Sequence, residues 1–143
     1  MATVHETYAA AIQHDRAGLP AGTRLVGVVR RPMGWFHGAV DENVPALGPP
    51  GELLDDIKER QATLEAEGMA DAEAVERAWA DVDFGERYHE YLETDAEAGE
   101  AFEALVDEVV GGTDVAVVCY EAPDKPCHRH LLRERLLDRL DGR

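Results

Sequence analysis

The sequence predicts an α/β fold: a small single-layer, mainly parallel sheet flanked by helices. Two observations carry that reading. Two β-rich apolar runs, Arg24–Val29 (RLVGVV) and Asp114–Tyr120 (DVAVVCY), stand far apart in the chain. Between them lie four stretches whose apolar residues recur at helical spacing. Strands separated by helices favour a parallel sheet, because a parallel pair needs a crossover long enough to hold a helix. The 143 residues suit one domain, expected over 1–143, with room for a proper core.

The elements follow in order. Val4–Tyr8 reads as a short strand or the start of a helix; a thin sheet needs this segment as a further strand. Ala9–Arg16 reads as a short helix or turn, and Gly18–Gly22 as a loop. Arg24–Val29 is a strand, ended by Arg30-Arg31-Pro32, since proline cannot extend the ladder. Met33–Gly51 holds seven glycines and prolines, too many for a regular element, and a loop this long is more often functional than decorative.

Four helices come next. Glu52–Gly68 places Leu53, Leu54, Ile57 and Leu64 near one stripe, with Gly68 just past its end. Asp71–Ala80 takes Asp71 as its expected N-cap. Phe84–Leu92 spaces Phe84, Tyr88, Tyr91 and Leu92 helically, and these aromatics, with Trp79, are read as core. Ala96–Val110 turns Phe102, Leu105, Val106 and Val109 inward and stops at Gly111-Gly112. Asp114–Tyr120 is apolar on both faces, hence central and buried. Lys125–Leu140 forms the last helix, with Leu131, Leu132, Leu136 and Leu140 inward.

The chain carries 30 acidic against 14 basic residues, a formal charge of −16, and only two lysines, Lys58 and Lys125. Such charge repels itself unless salt screens it, over about 3 Å at 1 M. Strong acidity, scarce lysine and abundant alanine suggest a cytosol of high ionic strength, as in a halophile. The acidity argues against non-specific binding to nucleic acid or anionic membranes, both of which need clustered Lys and Arg. No apolar run approaches the roughly 20 residues that span a bilayer. The start, MATVHETYAA, lacks the features of a signal peptide. A cytoplasmic location is expected, where two cysteines are free, metal-binding or reactive more often than structurally bridged.

One segment gathers the chemistry. Val115–Leu132 reads VAVVCYEAPDKPCHRHLL, an apolar strand that crosses a short loop into a helix. Ligands of open α/β sheets usually sit at that junction. Glu121 follows six apolar or aromatic residues where the strand leaves the sheet, and suits a general base or a ligand anchor. Cys127 follows Pro126 at the helix start, where unpaired amides carry positive potential and favour the thiolate. His128, Arg129 and His130 reinforce it. Cys127 is the nucleophile candidate and Glu121 its proton-handling companion. The alternative at each position is bland: small buried thiols, a solvated loop acid, and an arginine paired with a local carboxylate. The Cys-His spacing fits no structural zinc pattern, so no metal is expected, and no cofactor motif stands out.

Arg30 and Arg31 leave the first good strand. If that strand runs parallel to the later one, both carboxyl ends open on one edge. Arg30, Arg31, Trp35, His128, Arg129 and His130 then suit ligand contact: arginines capture phosphate or carboxylate, and tryptophan stacks on a base or sugar.

These residues carry a resemblance. Cys119-Tyr120-Glu121 followed by Cys127-His128-Arg129-His130 and an apolar helix is similar to the most recognisable motif of the domain of unknown function 488 (DUF488) family, in its archaeal-type subset. Looser likenesses are Thr7-Tyr8-Ala9, Val29-Arg30-Arg31-Pro32 with Trp35, Leu47-Gly48-Pro49-Pro50 with Leu53-Leu54, and Phe84-Gly85-Glu86-Arg87-Tyr88. Glu6 stands where the family pattern has serine, and Gly48 where it has alanine. The resemblance implies an α/β fold and brings no secure activity with it.

The functional expectation is an enzyme or binding domain for a small anionic, phosphate- or nucleotide-like ligand. Two alternatives stay open: a nucleic-acid-associated protein, and a thiol- or redox-responsive protein using Cys119 and Cys127, which lie eight positions apart across the turn. The oligomeric state is not legible.

Overall fold

The structure, a computed structural model, describes residues 2–120 and 126–142. In chain order its elements are β1 (Val4–Tyr8), α1 (Ala9–Gln13), β2 (Arg24–Gly27), β3 (Glu42–Asn43), α2 (Gly51–Ala66), α3 (Asp71–Asp81), α4 (Phe84–Thr94), α5 (Ala96–Val110), β4 (Val115–Cys119) and α6 (His128–Asp141). Short 3-10 turns at Gly34–Gly38 and Pro45–Leu47 flank β3. The fold is α/β, with a four-stranded all-parallel sheet in the order β1-β4-β2-β3.

Strand β4 takes the centre because every one of its side chains, Val115 to Cys119, is buried. It pairs Val4 with Val115 on one side and Arg24 with Val115 on the other. The N-terminal segment is a strand, as the thin sheet required. Alternation then divides the core. Val4, Val26, Val28, Val115 and Val117 pack with residues of α2 to α6, among them Leu53, Ile57, Phe84, Tyr88, Leu132 and Leu136. A second cluster, Ala9, Val29, Phe36 and Val118 with Cys119 and Cys127, gathers at the strand ends.

The expected first strand is shorter than its apolar run, and the reason is local. A Cβ on Gly27 would stand 2.5 Å from the Phe36 ring and 2.6 Å from Asn43 Oδ1, so glycine lets both pack against the backbone. Asn43 then bonds Val29 as a strand would: Oδ1 accepts from Val29 N at 3.1 Å and Nδ2 donates to Val29 O at 3.0 Å. A side-chain amide replaces the ladder where the run was expected to continue.

One further correction concerns a helix end. Asp71 is the first residue of α3 rather than its cap, which is Ala70. Asp95, by contrast, caps α5, with Oδ2 accepting from Ala98 N at 3.0 Å. The long segment 33–51 is pinned rather than loose. Tyr88 donates its hydroxyl to Leu47 O, and Tyr91 donates to Ala46 O at 2.7 Å. Tyr88 is completely buried, and burial first, then Tyr91, raise its pKa well above 10.

Candidate functional site

Because β2 and β4 run parallel, their carboxyl ends share one edge of the sheet. Cys119 closes β4, and Cys127 is the residue capping the start of α6, in extended backbone. The two sulfurs meet and are paired as a disulfide, while the Cα atoms stand 7.6 Å apart. The pairing departs from the expectation of free cysteines, and the Cα separation lies beyond the roughly 7 Å of ordinary bridges. Both side chains are buried.

His128 begins α6 and is buried. Its Nε2 donates to Val28 O at 2.5 Å, its ring meets the Tyr88 ring edge-on at 5.5 Å, and Nδ1 lies 3.7 Å from Cys127 Sγ. A carbonyl partner requires hydrogen on Nε2, so the neutral ring leaves Nδ1 as an acceptor facing the thiol position. Burial pushes the His128 pKa down to about 4; the Val28 bond opposes that shift, and Arg129 and His130 add to it. A ring this hard to protonate orients a thiol rather than storing its proton.

Arg129 and His130 turn to an acid that the sequence reading passed over. Arg129, 1% exposed, donates from Nε to Glu6 Oε1 at 3.3 Å and from Nη1 to Cys119 Sγ at 2.7 Å. Its guanidinium also lies 5.8 Å from the centre of the Tyr8 ring. His130 Nδ1 donates to the same Glu6 oxygen. Glu6 sits in mid β1, where the family pattern has serine. The available signal was strand alternation, which puts Glu6 on the face of Val4, a core residue. An acid on a core face implies a buried cation.

Beside the cysteines lies a groove of about 400 Å³. Cys119, Cys127, His128 and Pro126 meet Leu54, Ile57, Val75, Trp79 and Phe84 along it, with Arg30, Arg31 and Lys58 as its cations and Asp71 as an acid. Arg30 is committed to structure: it donates to Pro49 O at 3.0 Å, to Gly48 O at 3.3 Å and to Tyr91 Oη at 2.6 Å. Arg31 is exposed, with Nη1 3.1 Å from Asp55 Oδ1. Trp35 is 47% exposed and packs on Tyr120, ring centres 5.4 Å apart; Tyr120 lines the groove and Trp35 does not.

The expected residues thus divide. Arg30, Arg31, Cys127 and His128 share the groove, whereas Arg129 and His130 gather around Glu6. Tyr88, a core aromatic, braces His128 from behind. Glu121 lies outside the described residues. Among those described, no group of three or more His, Cys, Asp or Glu side chains is placed to hold a metal ion. No described helix is long and apolar enough to cross a membrane.

Neither the curated proteins nor the solved structures provide a match to this chain. A family model does: that of the active DUF488-N3 subclade (DUF488-N3a), over residues 8–140. That span takes in the groove and both cysteines and stops short of Glu6. With the model running along nearly the whole chain, and with the strand–loop–helix motif at its carboxyl-terminal end, the protein belongs to the DUF488 family.

Proposed function

We propose that the protein is an enzyme for a small anionic molecule with an apolar or planar body, bound in the groove beside α6. Arg31 and Lys58 attract the anionic group. Leu54, Val75, Trp79 and Phe84 cover the body; once the Cys119–Cys127 bond is reduced, Cys127 acts as nucleophile, and His128 Nδ1 fixes the orientation of its sulfhydryl. Glu121 is the proton carrier in this reading. The observation that carries it is the shared lining: Lys58, one of two lysines in a strongly acidic chain, opens onto the same groove as Cys127 and His128. Charged heads over apolar walls are the usual build of a small-molecule site. The amides opening α6 add positive potential at the sulfur, and the family description, an active subclade, suits chemistry over scaffolding.

The test is thermal shift in high salt with inorganic phosphate, pyrophosphate and nucleoside monophosphates. Stabilisation of the wild type that is lost in the Arg31→Ala/Lys58→Ala double variant supports the reading. Equal stabilisation of both proteins, or of neither, removes it.

A further inference from the structure

The proposed reaction uses Cys127 and leaves Cys119 with Arg129, Glu6 and His130 unexplained. That cluster is expensive to build. Arg129 is nearly inaccessible to water, and desolvating a guanidinium is costly unless charge and hydrogen bonds compensate. Glu6 supplies one carboxylate, and His130 donates to the same carboxylate oxygen. Yet Nη1 is aimed at sulfur, 2.7 Å from Cys119 Sγ. A guanidinium gains far more from a thiolate than from an uncharged sulfur, because the bond to the anion is charge-assisted. Cys127 Sγ faces a neutral imidazole nitrogen instead. The two sulfurs touch, and both border the open groove.

We propose that Cys119 and Cys127 form a reversible dithiol–disulfide couple that reduces small hydroperoxides, with Cys119 as the attacking thiolate held by Arg129 and Cys127 as the resolving thiol. The Cys119 thiolate attacks the outer peroxide oxygen. The O–O bond breaks, an S–O bond forms, and the alkoxide or hydroxide departs and takes up a proton from water. Cys127, its S–H directed at His128 Nδ1, then attacks the Cys119 sulfur. The S–S bond forms, the S–O bond breaks, and hydroxide leaves as water with the Cys127 proton. Two thiols lose two electrons and the peroxide gains them. An external dithiol reverses the bond by exchange through a mixed disulfide. Arg129 favours the reduced state over the bridged one, since its Nη1 then meets a thiolate rather than an uncharged sulfur, and a stabilised reduced form makes a couple more oxidising.

Glu6 and Arg129 are positioning residues in this scheme. Their role is legible in which sulfur reacts and how fast. The full chain, reduced and then given one equivalent of hydrogen peroxide, is expected to lose both free thiols and the mass of two hydrogens. Dithiothreitol restores both. In Cys127→Ser the reaction stops at sulfenic acid, which dimedone traps on Cys119. Arg129→Lys retains a charge without the planar fork and slows thiol loss about tenfold or more. Arg31→Ala/Lys58→Ala keeps the couple intact, so this inference and the anion-binding reading fail separately. Dimedone on Cys127 in Cys119→Ser but never on Cys119 in Cys127→Ser overturns the assignment. Thiols that react no faster than free cysteine overturn the couple itself.

Discussion

The ring of His128 donates from Nε2 to the carbonyl of Val28 at 2.5 Å, joining the first residue of α6 to the chain just past β2. This bond fixes the tautomer and holds the helix start against the sheet edge. Its pH consequence follows from burial. The folded pKa lies at about 4, below the ordinary 6.5, so the unfolded chain binds more protons between those values. Stability is full above pH 6.5 and falls as pH drops towards 4, by roughly 3 kcal/mol from this group. Denaturant unfolding across that range is expected to show the slope. His128→Gln, which keeps a donor and cannot titrate, flattens it.

Glu6 holds the buried end of α6. Glu6→Ala removes an acceptor from Arg129 and from His130 at once. A lost charged hydrogen bond of this kind costs about 1.5–3 kcal/mol. Glu6→Gln, which retains an acceptor oxygen, is expected to lose less. Chemical denaturation of the two variants gives the comparison.

Gly48 leaves no space for a side chain. Its backbone is in the ordinary extended region, φ −76, so torsion is not the obstacle. A Cβ there would stand 2.5 Å from Arg30 N and 2.9 Å from Arg30 Cα, main-chain atoms that cannot swing aside. Gly48→Ala is expected to destabilise by about 1–3 kcal/mol, the usual cost of overpacking, and to loosen the Arg30 bonds to Gly48 and Pro49. The shift in urea midpoint measures it.

Salt is expected to stabilise the chain. Its surface ion pairs, such as Arg24 with Glu108 and Arg87 with Asp56, weaken in salt. Thirty acids against 14 bases leave a larger repulsive remainder, and screening relieves it. The melting temperature therefore rises between 0.1 and 2 M sodium chloride, in line with the halophile-like composition; the same scan with a falling melting temperature contradicts that reading.

Much of the fold was legible because its signals are local. Ala96–Val110 carries its own apolar stripe and a terminal glycine pair, and the helix has the expected bounds. Val115–Cys119 announces a central strand by lacking a polar face. The less legible parts depend on distant partners. The end of β2 is set by Phe36 and Asn43, which no pattern within Arg24–Val29 reveals. Glu6 and Arg129 meet across 123 positions, so each alone reads as a surface charge. The cysteine–histidine segment was legible as the junction of a strand end and a helix start, but not the turn of Arg129 and His130 towards Glu6.

The sheet order has a consequence for how the chain comes off the ribosome. β4 is the partner that both β1 and β2 require, yet it is made last of the four strands. A nascent chain that has reached α5 holds β1 and the β2–β3 pair with no ladder between them, while the helices form from neighbouring residues. Assembly must wait for Val115 to arrive and find Val4, the kind of remote pairing that slows folding and leaves backbone edges open in the meantime.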